Sequence, residues 1–132
     1  MGDIFFWIFM LIFELLIPLV MIFFGRMFTK AAPKNINYAF GYRTDRSMKN
    51  KDTWVFAHKC IGRIWTRWGW VLLAVSAVFM LIFLGRDVET VGHAGMALMA
   101  VQLAALVIPI FIVEGKLKKT FDKNGYRRNR EW

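Results

Sequence analysis

Three long apolar runs alternate with strongly polar stretches along this chain. The first goes from Ile4 to Phe24 and is interrupted only by Glu14 and Pro18; the second goes from Trp68 to Leu84 and carries no charge. The third goes from Val91 to Val113, with His93, Gln102 and Pro109 as its only polar or helix-disturbing members. A helix rises about 1.5 Å per residue, so about 20 apolar residues reach across the roughly 30 Å of a bilayer's hydrocarbon. Each run therefore predicts a spanning helix, at 4–24, 68–84 and 91–113. The expected fold class is all-α: one integral membrane domain, 1–132, of three transmembrane helices.

The stretch between the first two runs, 25–67, is too long for a plain connection between adjacent helices. Lys30 to Arg46 contains Pro33 and Gly41 and predicts an ordered turn. From Ser47 or Asn50, either of which can cap a helix, the pattern changes. Trp54, His58, Ile61, Trp65 and Trp68 then recur at spacings of four, three, four and three, which puts them on one helical stripe, with Lys51, Lys59, Arg63 and Arg67 mainly on other faces. An aromatic stripe with basic flanks predicts a cytoplasmic interfacial amphipathic helix, lying on the membrane before the second span. The tail, 114–132, should briefly continue the third helix and then turn near Asn124-Gly125.

Composition sharpens this reading. Of 132 residues, 58% are hydrophobic, which is more than a soluble domain of this size can hide from water, yet the formal charge is +9. The cations are not mixed with the apolar runs: ten lie in 25–67, one (Arg86) in 85–90 and seven in 114–132. Positive-inside topology then places the long loop and the carboxyl tail in the cytoplasm, and the amino terminus outside. The start, Met1-Gly2-Asp3, lacks the basic segment of a signal peptide, so the first span is expected to be retained. Phe6 stands where a myristoylation motif needs Ser or Thr. The excess charge is explained by topology, so no nucleic-acid partner is expected, and an anionic lipid surface is.

The segment Asn37-Tyr38-Ala39-Phe40-Gly41-Tyr42-Arg43-Thr44, followed by Ser47, Asn50 and Trp54, resembles the signature of the SdpI family of small bacterial integral membrane proteins. The resemblance extends over roughly residues 25–115. It implies a multi-pass protein of the bacterial plasma membrane, acting as an immunity factor that protects the membrane against a secreted killing peptide by binding it. In physical terms Gly41 permits backbone conformations closed to other residues, Arg43 offers a planar fork of donors, and Tyr42 combines an apolar ring with a polar tip. Arg43 can thus serve as a ligand hook or as a clamp on a carboxylate within the protein. Arg46 and His58 complete the candidate binding set at this end.

Glu14 lies in mid-span, where an ionisable group normally faces protein or a water-filled cavity. It should share a face with Trp7, Pro18, Met21 and Gly25, and its candidate partners are Gln102 and a basic residue of the loop. It supports an alternative function, a small-ion or proton transporter or channel. Ala97, Ala100 and Ala104, in line with His93, predict that the third helix is the packing centre of the bundle or of a homodimer. A third reading has the basic loop holding a cytoplasmic regulator at the membrane. His58 and His93 have no second ligand at metal spacing, and Cys60 is alone, so no metal, cofactor or disulfide is expected. No nucleophile elbow, phosphate loop or His-Glu-x-x-His motif occurs, so no enzyme is expected either.

Overall fold

The computed structural model describes residues 2–31, 33–36 and 41–128. Three helices account for most of them: α1 (Gly2–Lys30), α2 (Lys51–Ile82) and α3 (Val88–Thr120). All three are long and apolar enough to cross a membrane. Phe5, Ile12, Val71, Ile82 and Phe111 are each more than half exposed on the outer faces. Outer faces so apolar on helices of spanning length suit a lipid surround. The chain is thus a multi-pass, all-helical membrane protein.

The helices outrun the apolar stretches that predicted them. At 29, 32 and 33 residues they measure about 44 to 50 Å, well beyond roughly 30 Å of hydrocarbon. The excess lies at one end of the bundle, where the carboxyl end of α1, the amino end of α2 and the carboxyl end of α3 meet. That end carries most of the cations and is closed by the described parts of the connection, 41–50, and of the tail, 121–128.

The expected interfacial helix does not form as a separate element. Its residues are the first half of α2, continuous with the span as far as Ile82. The physical reason lies in the stripe: Trp54, His58 and Ile61 are fully buried and Trp65 half-buried, packed within the bundle rather than laid on lipid. Phe28, Tyr42, Ala57, Cys60, Ile61, Val113, Leu117 and Phe121 form one core at this end. Trp7, Met80, Val91 and Leu98 form a second at the other end, where the Trp7 indole donates to the Met80 carbonyl at 2.8 Å. Asn50 starts α2 with a reciprocal cap: its side chain accepts from the Thr53 amide at 2.9 Å, and the Thr53 hydroxyl accepts from the Asn50 amide at 3.1 Å.

The most extensive interface is α1 on α2, so within the chain α3 is not the packing centre of the bundle. His93, Ala97, Ala100 and Ala104 face outward; α3 packs instead through Val91, Ala94, Gly95, Leu98, Gln102 and Pro109. After Thr120 the chain turns back through a single antiparallel bridge, Phe121 to Arg127, with Gly125 at the turn.

Candidate functional site

From Gly41 on, the signature segment folds as a cap on the basic end. Gly41 sits at φ +117°, a region that L side chains rarely adopt, and a Cβ there would lie 2.7 Å from His58 Nε2 and 3.1 Å from the Trp54 ring. Glycine is required both by conformation and by space. This brings the Tyr42 amide onto His58, donating to Nε2 at 2.9 Å, while His58 Nδ1 lies 2.8 Å from the Trp54 carbonyl. A carbonyl can only accept and an amide N–H can only donate, so these partners assign the proton to Nδ1 and leave the imidazole neutral. The Trp54 ring stacks at a tilt on His58, centroids 4.3 Å apart, and its indole donates to the Pro33 carbonyl at 2.7 Å.

From Tyr42 the cap is tied to α3. The buried Tyr42 hydroxyl donates to Glu114 Oε2 at 2.6 Å, and the Thr44 hydroxyl donates to the same oxygen at 2.9 Å. Burial pushes the Tyr42 hydroxyl well above its ordinary pKa, and the hydrogen bond to the Glu114 carboxylate pushes it further. Tyr42 therefore stays a donor. Ser47, fully buried, closes the turn: its hydroxyl accepts from the Thr44 amide at 2.8 Å, and its one proton is shared between the carbonyls of Tyr42 and Thr44, each at 3.0 Å. The one proton of the Thr53 hydroxyl is shared between the Ser47 and Asn50 carbonyls, each at 2.9 Å, and the Asn50 side-chain Nδ2 donates to the Gly125 carbonyl in the tail at 2.6 Å.

Tyr42, Thr44, Ser47, Asn50, Trp54 and His58 thus belong to one hydrogen-bonded unit, and Glu114 completes it. Arg43 does not take part. It is exposed between two anchored neighbours, and among the described residues no hydrogen bond or ion pair holds its guanidinium. Of the two roles open to Arg43, hook or clamp, the clamp is made by Tyr42 and Thr44. Arg46 is half-buried and, with Asp45, Lys49 and Lys123, borders a cavity of about 320 Å³ between the cap and the tail. Asn37 lies outside the described residues.

Glu14 and Gln102 are remote from the cap, in the middle of the bundle. Trp7, Glu14, Pro18, Met21 and Gly25 are all buried, as the shared face requires. Pro18 has no N–H to give the carbonyl four residues back, which is that of Glu14. The Gln102 amide donates to that carbonyl at 2.6 Å and reaches the Ser76 hydroxyl at 3.0 Å, so one side chain joins α1, α2 and α3. The expected pairing of Gln102 with the Glu14 carboxyl does not occur, nor does a loop cation reach it. Neither carboxyl oxygen has a hydrogen-bond partner among the described residues. The carboxyl borders an apolar groove between α1 and α3, lined by Phe9, Phe13, Met96 and Leu103.

Glu114, Thr53 and Arg127 are the site residues that sequence reasoning passed over. Glu114 had a signal, since it is an acid at the end of a span where every neighbouring charge is basic. Arg127 had none: it makes a bidentate pair with Asp52, both contacts 2.8 Å, across 75 residues of sequence. Its guanidinium also lies 5.0 Å from the centroid of the Phe121 ring. Among the described residues no group of three potential ligands could hold a metal ion.

The model that describes the SdpI/YfhL protein family matches residues 34–113, which include the cap, all of α2 and most of α3. Neither a curated protein nor a solved structure matches the chain.

Proposed function

The chain belongs to the SdpI/YfhL protein family, and from that membership, which suggests a membrane protein of the immunity type, we propose that it protects the membrane by binding a toxin peptide at the cap. It acts without chemical transformation of the ligand. The observation that carries this reading is the display of Arg43. Its neighbours Tyr42 and Thr44 are tied to Glu114 at 2.6 and 2.9 Å, so the exposed guanidinium stands on a rigid base. Preorganisation of that kind lowers the ordering cost of recognition, and the planar fork suits a carboxylate or other anionic group on the partner.

The cation distribution supports a cytoplasmic cap and carboxyl tail with the amino terminus outside, in a bacterial plasma membrane. Expression of the intact chain in a sensitive bacterium is expected to raise tolerance to the peptide. Arg43→Ala should remove that tolerance while leaving expression and melting temperature unchanged. Equal tolerance with and without the protein, or in both variants, would sink the reading.

A second reading has one observation behind it: the Glu14 carboxyl, fully buried and without a hydrogen-bond partner among the described residues. Such a group suits a small-ion or proton path. Flux measured in liposomes should then fall for Glu14→Gln; unchanged flux removes this alternative.

A further inference from the structure

The α1–α2 interface contains a repeat that the cap does not use. Gly25-Arg26-Met27-Phe28-Thr29-Lys30 on α1 and Gly62-Arg63-Ile64-Trp65-Thr66-Arg67 on α2 share the pattern Gly-Arg-x-x-Thr followed by a cation. The helices run in opposite directions, and each glycine lies under the threonine of the other. A Cβ on Gly25 would lie 2.7 Å from the Thr66 amide nitrogen, and one on Gly62 would lie 2.9 Å from that of Thr29. The two segments are therefore related by a local two-fold axis. Each threonine hydroxyl donates to its own glycine's carbonyl, at 2.7 Å in both cases, so neither crosses the gap.

This close crossing leaves a groove of about 220 Å³ lined by Arg26, Thr29, Lys30, Arg63, Thr66 and Arg67. It holds four cations and no acidic side chain, and among the described residues none of the four has an ion-pair partner. The register sorts them into two pairs, one cation from each helix: Arg26 with Arg67, and Lys30 with Arg63. The two-fold exchanges one pair with the other. They are separated by about four residues, roughly 6 Å along the helix axes. Arg26 and Arg67 stand where the apolar runs end, at Phe24 and Trp68, so this pair is at the edge of the hydrocarbon and the other is further out. Below the inner pair, at helical spacing, Leu19, Phe23, Trp70 and Val71 are all exposed, between 49% and 64%.

We propose that this groove is a binding site for a lipid diphosphate, an amphiphile with two phosphates in line on one apolar chain. The stacked cation pairs take the two phosphates, each between an α1 and an α2 side chain, and the chain lies along the apolar stripe beneath. Cations between helices at the membrane surface suit phosphate groups in general; the stacking along the helix axes and the single stripe select a diphosphate on one chain. The assignment does not depend on the cap's role.

The test uses the purified full chain in neutral detergent, with farnesyl diphosphate, farnesyl monophosphate, phosphatidylglycerol and inorganic pyrophosphate as probes and bound ligand read by native mass spectrometry. Farnesyl diphosphate is expected to bind one to one and at least tenfold more tightly than the other three. Arg26→Gln/Arg67→Gln and Lys30→Gln/Arg63→Gln should each weaken it at least tenfold. Lys49→Gln/Lys123→Gln, which removes the same charge at the cap cavity, should change it less than twofold. All six side chains are exposed, and an unchanged melting temperature checks the fold of each variant. Equal losses in all three double variants would reduce the effect to diffuse charge and overturn the proposal. So would pyrophosphate binding as tightly as the lipid, which would make the ligand a soluble one, or monophosphate or phosphatidylglycerol binding as tightly as the diphosphate.

Discussion

Gly41 decides whether the cap can close. At φ +117° any side chain is strained, and Gly41→Ala is expected to cost about 1 to 3 kcal/mol in thermal unfolding. Arg43→Ala, two residues away and exposed, should stay within about 0.5 kcal/mol of the parent. The contrast separates the residue that builds the loop from the one it presents. Tyr42 gives a pH signature. Its pKa is raised in the folded state by burial and by Glu114, so its contribution to stability is fully present below the unfolded value of about 10 and is lost as pH rises above it. Tyr42→Phe should remove that alkaline loss in denaturation midpoints followed from pH 8 to 11. A loss of equal size in the variant would show that another group titrates. The signature motif indicated that Gly41, Tyr42, Thr44, Ser47, Asn50 and Trp54 belong together, but it could not say which of them clamp. That depended on Glu114, 72 residues from Tyr42 in sequence and outside any periodic pattern.

Among the elements, α1 carries a proline whose missing donor is supplied by a side chain of α3. Gln102→Leu would leave the Glu14 carbonyl without that partner in an apolar interior, at an expected cost of about 1 to 2 kcal/mol. Pro18→Ala in the same chain restores an amide four residues along, so the double variant should recover most of the loss. A double variant as unstable as Gln102→Leu alone would mean that Gln102 acts mainly through Ser76. The three spans were legible because apolar runs of spanning length with so few polar interruptions admit few other readings. The continuity of α2 was not. Residues 51–67 have the aromatic stripe and basic flanks of a surface helix, and periodicity reports that one face is apolar without saying whether lipid or protein covers it. Here the cover is protein, since Trp54 and His58 pack on each other under Gly41 and His58 meets the Phe28 ring.

For the whole molecule, orientation has a direct test. Cys60 is the chain's one cysteine and is buried, so Cys60→Ala gives a background in which single cysteines report topology. Gly85→Cys is expected to react with a membrane-impermeant maleimide on intact cells, and Asn124→Cys only after permeabilisation; the reverse pattern would invert the assignment. Every helix that crosses the membrane also reaches the basic end, so the cap is not an appendage on a separate membrane anchor. The order of synthesis gives the Pro18 defect a further meaning. α1 is made before α3, so the side chain that satisfies the Glu14 carbonyl arrives two helices later. Until then that carbonyl is an acceptor in hydrocarbon, which offers no donor. α3 thus completes α1, and a chain interrupted after α2 keeps an unpaired backbone acceptor in the middle of α1.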